Sequence, residues 1–145
     1  MVMSSVSQGV GKGRAVSPIP RKYSRSETMT PGFSRTIEIV LEHVPLGVGS
    51  LVLDVPCGKG EALVQISAKA GATCVGLDSS RELVQHAVRK IDRAELGARA
   101  SVVLGDGGRL PLPTGTFDAC LSIGGPSGIG GHSISAALRE QGRIL

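Results

Sequence analysis

Stretches of helical apolar spacing alternate with short unbroken apolar runs from residue 34 onward. A stripe at i, i+3, i+4 and i+7 predicts a first helix that ends before Pro45. The unbroken runs are of the kind found in buried parallel strands. We predict strands over residues 50–55, 73–77, 101–104 and 117–123. We predict helices over residues 34–44, over the segment before Gly71 that ends at Ala70, from Ser79 to Gly97, and after Ser133.

Two serines are predicted to cap helices. Ser79 and Glu82 have the spacing of a capping box, and Ser133 stands before the last helix. The last helix is predicted to present one face, which consists of Ile134, Ala137, Leu138 and Gln141.

Strands that alternate with helices at this spacing predict βαβ units. The fold class is therefore α/β, with a Rossmann-like parallel sheet that carries helices on both faces. In such sheets ligands bind beyond the carboxyl ends of the strands. The residues that directly follow each strand are therefore the candidates for function.

The first thirty residues differ from the rest in both pattern and charge. They lack hydrophobic periodicity and hold five basic side chains against Glu27 alone, which accounts for the net charge of +4. We expect residues 1–30 to be a disordered basic tail and residues 31–145 to form the folded domain. An organellar transit peptide and a segment that contacts RNA phosphates are the alternatives for the tail.

Composition excludes several classes of protein. The 145 residues suit a single domain, and no run of 18 apolar residues predicts a membrane span. No secretory signal is evident, and three cysteines without a Cys-x-x-Cys pair predict neither a disulfide scaffold nor a metal site. A reducing compartment follows, which we take as the cytoplasm, with the nucleus or an organelle as alternatives.

Glycines and acids follow the predicted strands. Gly58 and Gly60 come after Asp54 and allow close approach of a ligand to the backbone, although a simple βα turn would also use them. Asp78 is placed to accept hydrogen bonds from ribose hydroxyls, or else to cap the next helix. Asp106 can bind an adenine amino group, or else form an Asx turn.

The glycine spacing indicates which nucleotide is bound. Leu63 stands where a dinucleotide-binding loop has its third glycine, and Lys59 is not followed by the Ser or Thr of a phosphate-binding loop. A nucleoside that lacks a pyrophosphate fits this loop better than a nicotinamide cofactor or a nucleoside triphosphate.

Four segments, residues 52–60 (VLDVPCGKG), 75–80 (VGLDSS), 105–113 (GDGGRLPLP) and 115–123 (GTFDACLSI), resemble in order the motifs of class I S-adenosylmethionine-dependent methyltransferases. The resemblance implies S-adenosyl-L-methionine as the cofactor. It implies that the methionine part lies along the glycine loop, the ribose at Asp78 and the adenine at Asp106. The cofactor-binding residues implied are Asp54, Pro56, Cys57, Gly58, Gly60, Asp78, Ser79, Asp106, Gly107 and Ser122.

A finer resemblance concerns residues 33–36 (FSRT) and 137–145 (ALREQGRIL), which are similar to the methyltransferases of the wobble-uridine carboxymethyl group of tRNA. It implies methyl ester formation on tRNA, with a small activator subunit as a partner. An rRNA guanine methyltransferase family shares the style of the fourth motif, and a small-molecule methyltransferase is a further alternative. The family's sheet continues through three more strands, so we expect only its 3-2-1-4 half here.

The sequence does not assign a catalytic residue. His43 and His86 are interpreted as helix-surface residues, and His132 is the candidate nearest the cleft, where the tRNA family usually has a pair of histidines. Cys57 is interpreted as a packed small residue rather than a nucleophile. Pro56 replaces a glycine that is usual in the first motif. A catalytically inactive fragment that acts as a binding module is the alternative from another class.

Overall fold

A computed structural model describes residues 32–123 and 133–145. The predicted tail and His132 lie outside these residues. Four helices and four strands follow one another along the described residues. They are α1 (Phe33–His43), β1 (Leu51–Asp54), α2 (Glu61–Ala70), β2 (Thr73–Asp78), α3 (Arg81–Arg93), β3 (Ala100–Leu104), β4 (Ala119–Leu121) and α4 (Ile134–Ile144).

The four strands form one parallel sheet in the order β3-β2-β1-β4. This order confirms the predicted fold class. Because β1 and β2 lie in the middle, both are buried and almost wholly apolar, as expected of inner parallel strands. Each end of the sheet therefore gathers residues from all four strands, and the carboxyl ends lie together.

The core is divided by the sheet into two clusters. Successive side chains of a strand point to opposite faces, so Val52 packs with Ile66 and Ile91 of the helices α2 and α3. Leu53 packs on the other face with Phe117 and Ile144, the latter at the end of α4. Helices thus cover both faces, as predicted.

Two local predictions are wrong. The residue that caps α3 is Ser80, whose hydroxyl accepts a hydrogen bond from the Leu83 amide, so the predicted capping box with Ser79 is not used. Helix α4 buries a stripe at i, i+4 and i+7, made of Ala137, Gln141 and Ile144. Leu138 is exposed because it lies about 100° around the helix from Ala137. Ile134, in the first turn, is exposed as well.

Gly60 is required by close packing of α2 against α3. Its φ is +76°, and a Cβ atom there would lie 2.9 Å from the Cβ atom of Ala87, which is in α3. A methyl group would therefore be strained in its backbone and would push the two helices apart.

We predict that Gly60→Ala lowers the free energy of unfolding by about 1–3 kcal/mol. Urea denaturation followed by circular dichroism measures this. The matched control is Gly142→Ala in α4, where no atom beyond the adjacent residues and the helix backbone lies within 4 Å of the added methyl group and where Ala is the better helix former. Equal destabilisation by the two substitutions would contradict the packing role of Gly60.

None of the helices within residues 32–123 and 133–145 has the length and apolar character needed to cross a membrane.

Candidate cofactor-binding site

The predicted site residues lie at the carboxyl edge of the sheet. Asp54 and Asp78 are the last residues of the neighbouring strands β1 and β2, and Ser122 directly follows β4. Asp106 comes two residues after β3. The parallel register aligns Asp54 with Leu121 and Asp78 with Leu104, so the side chains after all four strands share one edge.

Asp78 joins the end of β2 to the glycine loop. Its Oδ2 atom accepts a hydrogen bond of 2.9 Å from the Gly58 amide, and its Oδ1 atom accepts one of 2.9 Å from the Ser80 amide. Since Ser80 is the N-cap of α3, the alternative that Asp78 itself caps this helix is wrong. The carboxylate therefore holds the glycine loop and the start of α3 in one arrangement.

Burial raises the pKa of Asp78, while the amide hydrogen bonds from Ser80, Gly58 and Ser79 act in the opposite direction. Each carboxylate oxygen has two acceptor positions. The carboxylate thus has four acceptor positions for three amide hydrogen bonds, and one position remains that a ribose hydroxyl could use.

The glycine loop turns sharply between β1 and α2. The amide of Cys57 donates to Leu77, and the amide of Gly60 donates to Cys57. Gly58 and Gly60 have positive φ values of +53° and +76°, and the peptide bond before the half-buried Pro56 is cis. The loop thus lies along the end of β2 and presents backbone to the edge, which is the geometry that a closely approaching ligand needs.

Gly76 makes room for this loop. A Cβ atom on Gly76 would lie 2.6 Å from Leu63 Cδ1 and 2.8 Å from Cys57 Sγ. The side chain of Cys57 therefore packs directly against β2. Sequence reasoning did not single out Gly76, because its neighbours come from two other parts of the chain.

Asp54 is a buried acid with an orphaned oxygen. It is 3% exposed, and its Oδ1 atom has no hydrogen-bond partner among the described residues. Burial, with a smaller contribution from the negative charge of Asp78, raises the pKa of Asp54 to about 8. The hydroxyl oxygen of Ser122, at the end of the adjacent strand, is also buried and unpaired in the described part of the chain.

A buried polar atom without a partner is costly and calls for an explanation, of which a bound molecule is one. The orphaned atoms of Asp54 and Ser122 fit a ligand with hydrogen-bond donors and positive charge. The methionine part of S-adenosylmethionine has such groups, and this edge therefore fits the cofactor.

Asp106 forms the Asx turn that the sequence allowed. Its Oδ1 atom accepts a hydrogen bond of 2.8 Å from the Gly108 amide, and the backbone of Asp106 bridges to Arg109. Gly107 is buried beside it, and Ser79 is half-buried after β2. The turn holds Asp106 at the edge, while its contact with adenine stays a prediction.

The thiols near this edge are poor nucleophiles. Burial, together with the charges of Asp54 and Asp78, raises the pKa of Cys57 well above its usual value. Burial also raises the pKa of Cys120, to about 12. A protonated thiol attacks weakly, which favours the interpretation of Cys57 as a packed residue.

The two histidines within the described residues, His43 and His86, lie in helices. His43 is exposed at the end of α1, and its Nδ1 atom lies 2.9 Å from the Ile39 carbonyl oxygen. His86 is half-buried in α3. In residues 32–123 and 133–145, no group of three or more His, Cys, Asp or Glu side chains could hold a metal ion.

A family model described as a methyltransferase domain matches residues 52–145, from β1 to the end of α4. The chain belongs to this methyltransferase family. The predicted superfamily is thereby confirmed, and S-adenosylmethionine is confirmed as the cofactor at the level of the family. The narrower tRNA family is not distinguished by this match.

The curated relatives of the methyltransferase domain are named for different methyl acceptors. The chain is 29% identical over 102 residues to a sterol 24-C-methyltransferase of Pneumocystis carinii, covering 70% of this chain and 27% of the relative. It is 36% identical over 108 residues to an 18S rRNA (guanine-N(7))-methyltransferase of Bos taurus, covering 71% and 35%. The chain thus spans about a third or less of these relatives.

Solved structures share the fold. The MccD protein superposes with a TM-score of 0.72 at 28% identity, covering 79% of this chain and 50% of that one. A complex of the Haloferax volcanii Trm112 methyltransferase activator with a putative methyltransferase matches with a TM-score of 0.64 at 25% identity, covering 79% and 52%.

Proposed function

We propose that the chain is the cofactor-binding portion of an S-adenosylmethionine-dependent methyltransferase and that the carboxyl edge of the sheet binds the cofactor. The observation that carries this proposal is the pair of buried, unpaired polar atoms on Asp54 and Ser122, beside an acid and a glycine loop. The residues Asp54, Pro56, Cys57, Gly58 and Gly60 would hold the methionine part. Asp78 and Ser79 would hold the ribose, and Asp106 and Gly107 the adenine.

These residues would bind the cofactor and orient it. When bound, the cofactor supplies an electrophilic methyl group on a positively charged sulfur. Asp54 would face the positive charge of the methionine part, and Asp78 would bind and orient the ribose. Positioning of this kind lowers the barrier of a direct displacement without acid–base machinery. A carboxylate acceptor is already nucleophilic and needs no general base.

The acceptor that we propose is the carboxymethyl group of a wobble uridine in tRNA. Support comes from the resemblance of residues 33–36 and 137–145 to that family and from the solved neighbour in complex with an activator, which is consistent with a small activator subunit as a partner. The relation to a bovine rRNA methyltransferase supports rRNA as a second candidate, and the sterol relative supports a small molecule.

The domain arrangement and location complete the proposal. Residues 31–145 would form the cofactor-binding portion, and residues 1–30 a basic tail. The cytoplasm is the proposed location.

Transfer of a radiolabelled methyl group from S-adenosylmethionine tests the acceptor. We expect label on tRNA when an activator subunit is supplied, and we expect mild base to release that label, because a methyl ester hydrolyses and a methylated guanine does not. Base-stable label on rRNA would support the second candidate. The absence of S-adenosylmethionine binding in calorimetry would favour the inactive binding module.

A further inference from the structure

The β3–β4 loop is held along its length by one pair of side chains in α4. The guanidinium of Arg143 donates to the carbonyl oxygens of Leu110 (3.1 Å) and Leu112 (3.0 Å) and to the hydroxyl of Thr114 (3.1 Å). It also forms a two-pronged pair with Glu140, with nitrogen–oxygen distances of 2.9 and 2.8 Å. Thus one arginine contacts every second residue of this part of the loop.

Glu140 also binds the backbone of Leu110. Its Oε2 atom accepts a hydrogen bond of 2.9 Å from the Leu110 amide, whose carbonyl already accepts from Arg143. Both backbone polar groups of Leu110 are therefore bound to α4. The guanidinium beside Glu140 and the Leu110 amide lower the pKa of that carboxyl to about 2, so the pair is ionised at neutral pH.

The end of α4 also receives hydrogen bonds from the loop. The amide of Gly115 donates to Arg143, and the amides of Thr116 and Phe117 donate to Ile144. These contacts satisfy carbonyl groups that the last turn of a helix leaves unpaired. The loop and the last turn of α4 consequently behave as one unit.

This unit adjoins the predicted adenine side of the site. The side chain of Leu110 is buried in the same cluster as Leu77, which immediately precedes Asp78. Gly105 packs on Leu77 as well, and the amide of Arg109 donates to the carbonyl of Asp106. A shift of Leu110 would therefore move Asp106 and Gly107 relative to Asp78.

We propose that Glu140 and Arg143 are positioning residues that set the nucleobase side of the cofactor site and thereby its selectivity for adenine. This role rests on the proposed binding of adenine at Asp106 and Gly107. Isolated surface ion pairs contribute little, but this arginine uses a planar fork to reach several acceptors at once. A lysine would keep the charge and lose that geometry.

The test compares S-adenosylhomocysteine with S-inosylhomocysteine, which differs in the amino group of the base. Calorimetry measures both dissociation constants for the full chain, for Arg143→Lys and for Glu140→Gln. The matched control is Arg139→Lys on the same helix, at an exposed position. Thermal unfolding and circular dichroism establish that each variant is folded. If Arg143→Lys does not fold, Glu140→Gln takes its place in the comparison, because its side-chain oxygen still accepts from the Leu110 amide.

We expect the unchanged chain and Arg139→Lys to prefer the adenine compound. In Arg143→Lys we expect the affinity for S-adenosylhomocysteine to fall about tenfold, because the loop loses its fixed position. We also expect the ratio of the two dissociation constants to approach one. An equal loss of affinity for both compounds would overturn the positioning role alone. An unchanged chain that binds without preference would overturn the proposed adenine site itself, and the positioning role with it.

Discussion

Replacing Asp78 with alanine is expected to weaken binding of S-adenosylmethionine by about 10- to 100-fold. The carboxylate is proposed to accept a hydrogen bond from a ribose hydroxyl, and a hydrogen bond to a charged group contributes about 1.5–3 kcal/mol. The same substitution removes the acceptor of the Gly58 and Ser80 amides. The glycine loop would keep the hydrogen bond from the Cys57 amide to Leu77 but lose the one at Gly58, and the free energy of unfolding is expected to fall by about 1–3 kcal/mol.

Isothermal titration calorimetry measures the affinity, and urea denaturation measures the stability. Asp78→Asn separates the two effects, because its amide oxygen still accepts from one backbone amide while the negative charge is lost. The control is Asp92→Ala in α3, which removes an exposed carboxylate from the following helix. Binding of the cofactor by Asp78→Ala with unchanged affinity would contradict the ribose role.

Asp54→Asn is expected to stabilise the fold and weaken cofactor binding at the same time. The pKa of Asp54 is raised from 3.8 to about 8, so the folded chain holds a proton that the unfolded chain releases between these values. Stability of the native protein therefore falls as the pH rises from about 4 to about 8. Asparagine does not titrate, so the variant should be more stable by about 1–3 kcal/mol at pH 8 and nearly equal at pH 4.

The burial of Asp54 also predicts that the protein releases a proton when the cofactor binds. A positively charged ligand beside Asp54 favours the ionised carboxylate, so the affinity of the unchanged chain should rise with pH up to about 8, while that of Asp54→Asn stays flat and about 10–100-fold lower at pH 8. The other titratable groups with which Asp54 interacts electrostatically among the described residues are Asp78 and the thiols of Cys57, Cys74 and Cys120.

Unfolding and cofactor titrations at pH 6, 7 and 8 check both expectations, with Asp92→Asn as the control for removal of a carboxylate. Parallel pH profiles for the unchanged chain and Asp54→Asn would show that Asp54 is ionised throughout. Burial of Asp54 would then have no part in cofactor binding.

Much of the fold follows from local patterns. Apolar runs and stripes depend only on neighbouring residues, and they predicted all four strands, a parallel sheet and the edge at which Asp54, Asp78 and Asp106 lie, while the strand order was an expectation from the family resemblance. The predicted boundaries differ from the observed ones by one or two residues at most strands, for example residues 117–123 against Ala119–Leu121. Strand ends are hard to place because hydrogen bonds with neighbouring strands determine them.

Local sequence patterns could not decide between residues that offer the same local signal. Two adjacent serines could cap α3, and the geometry after β2 selected Ser80, whose amide Asp78 holds. The pattern of α4 predicted a face that includes Ile134 and Leu138, and packing against the sheet selected a face that includes Ile144 instead. Only tertiary contacts distinguish such alternatives.

The sequence by itself therefore determined the order of the elements, the α/β class and the identity of the residues after each strand. The tertiary structure decided how those residues act. Asp78 holds Gly58 across 20 positions, and Arg143 holds Leu110 across 33, which no local pattern encodes. The raised pKa of Asp54 has the same origin, because a carboxyl group loses its water only when the strands on either side and the helices above them have closed around it.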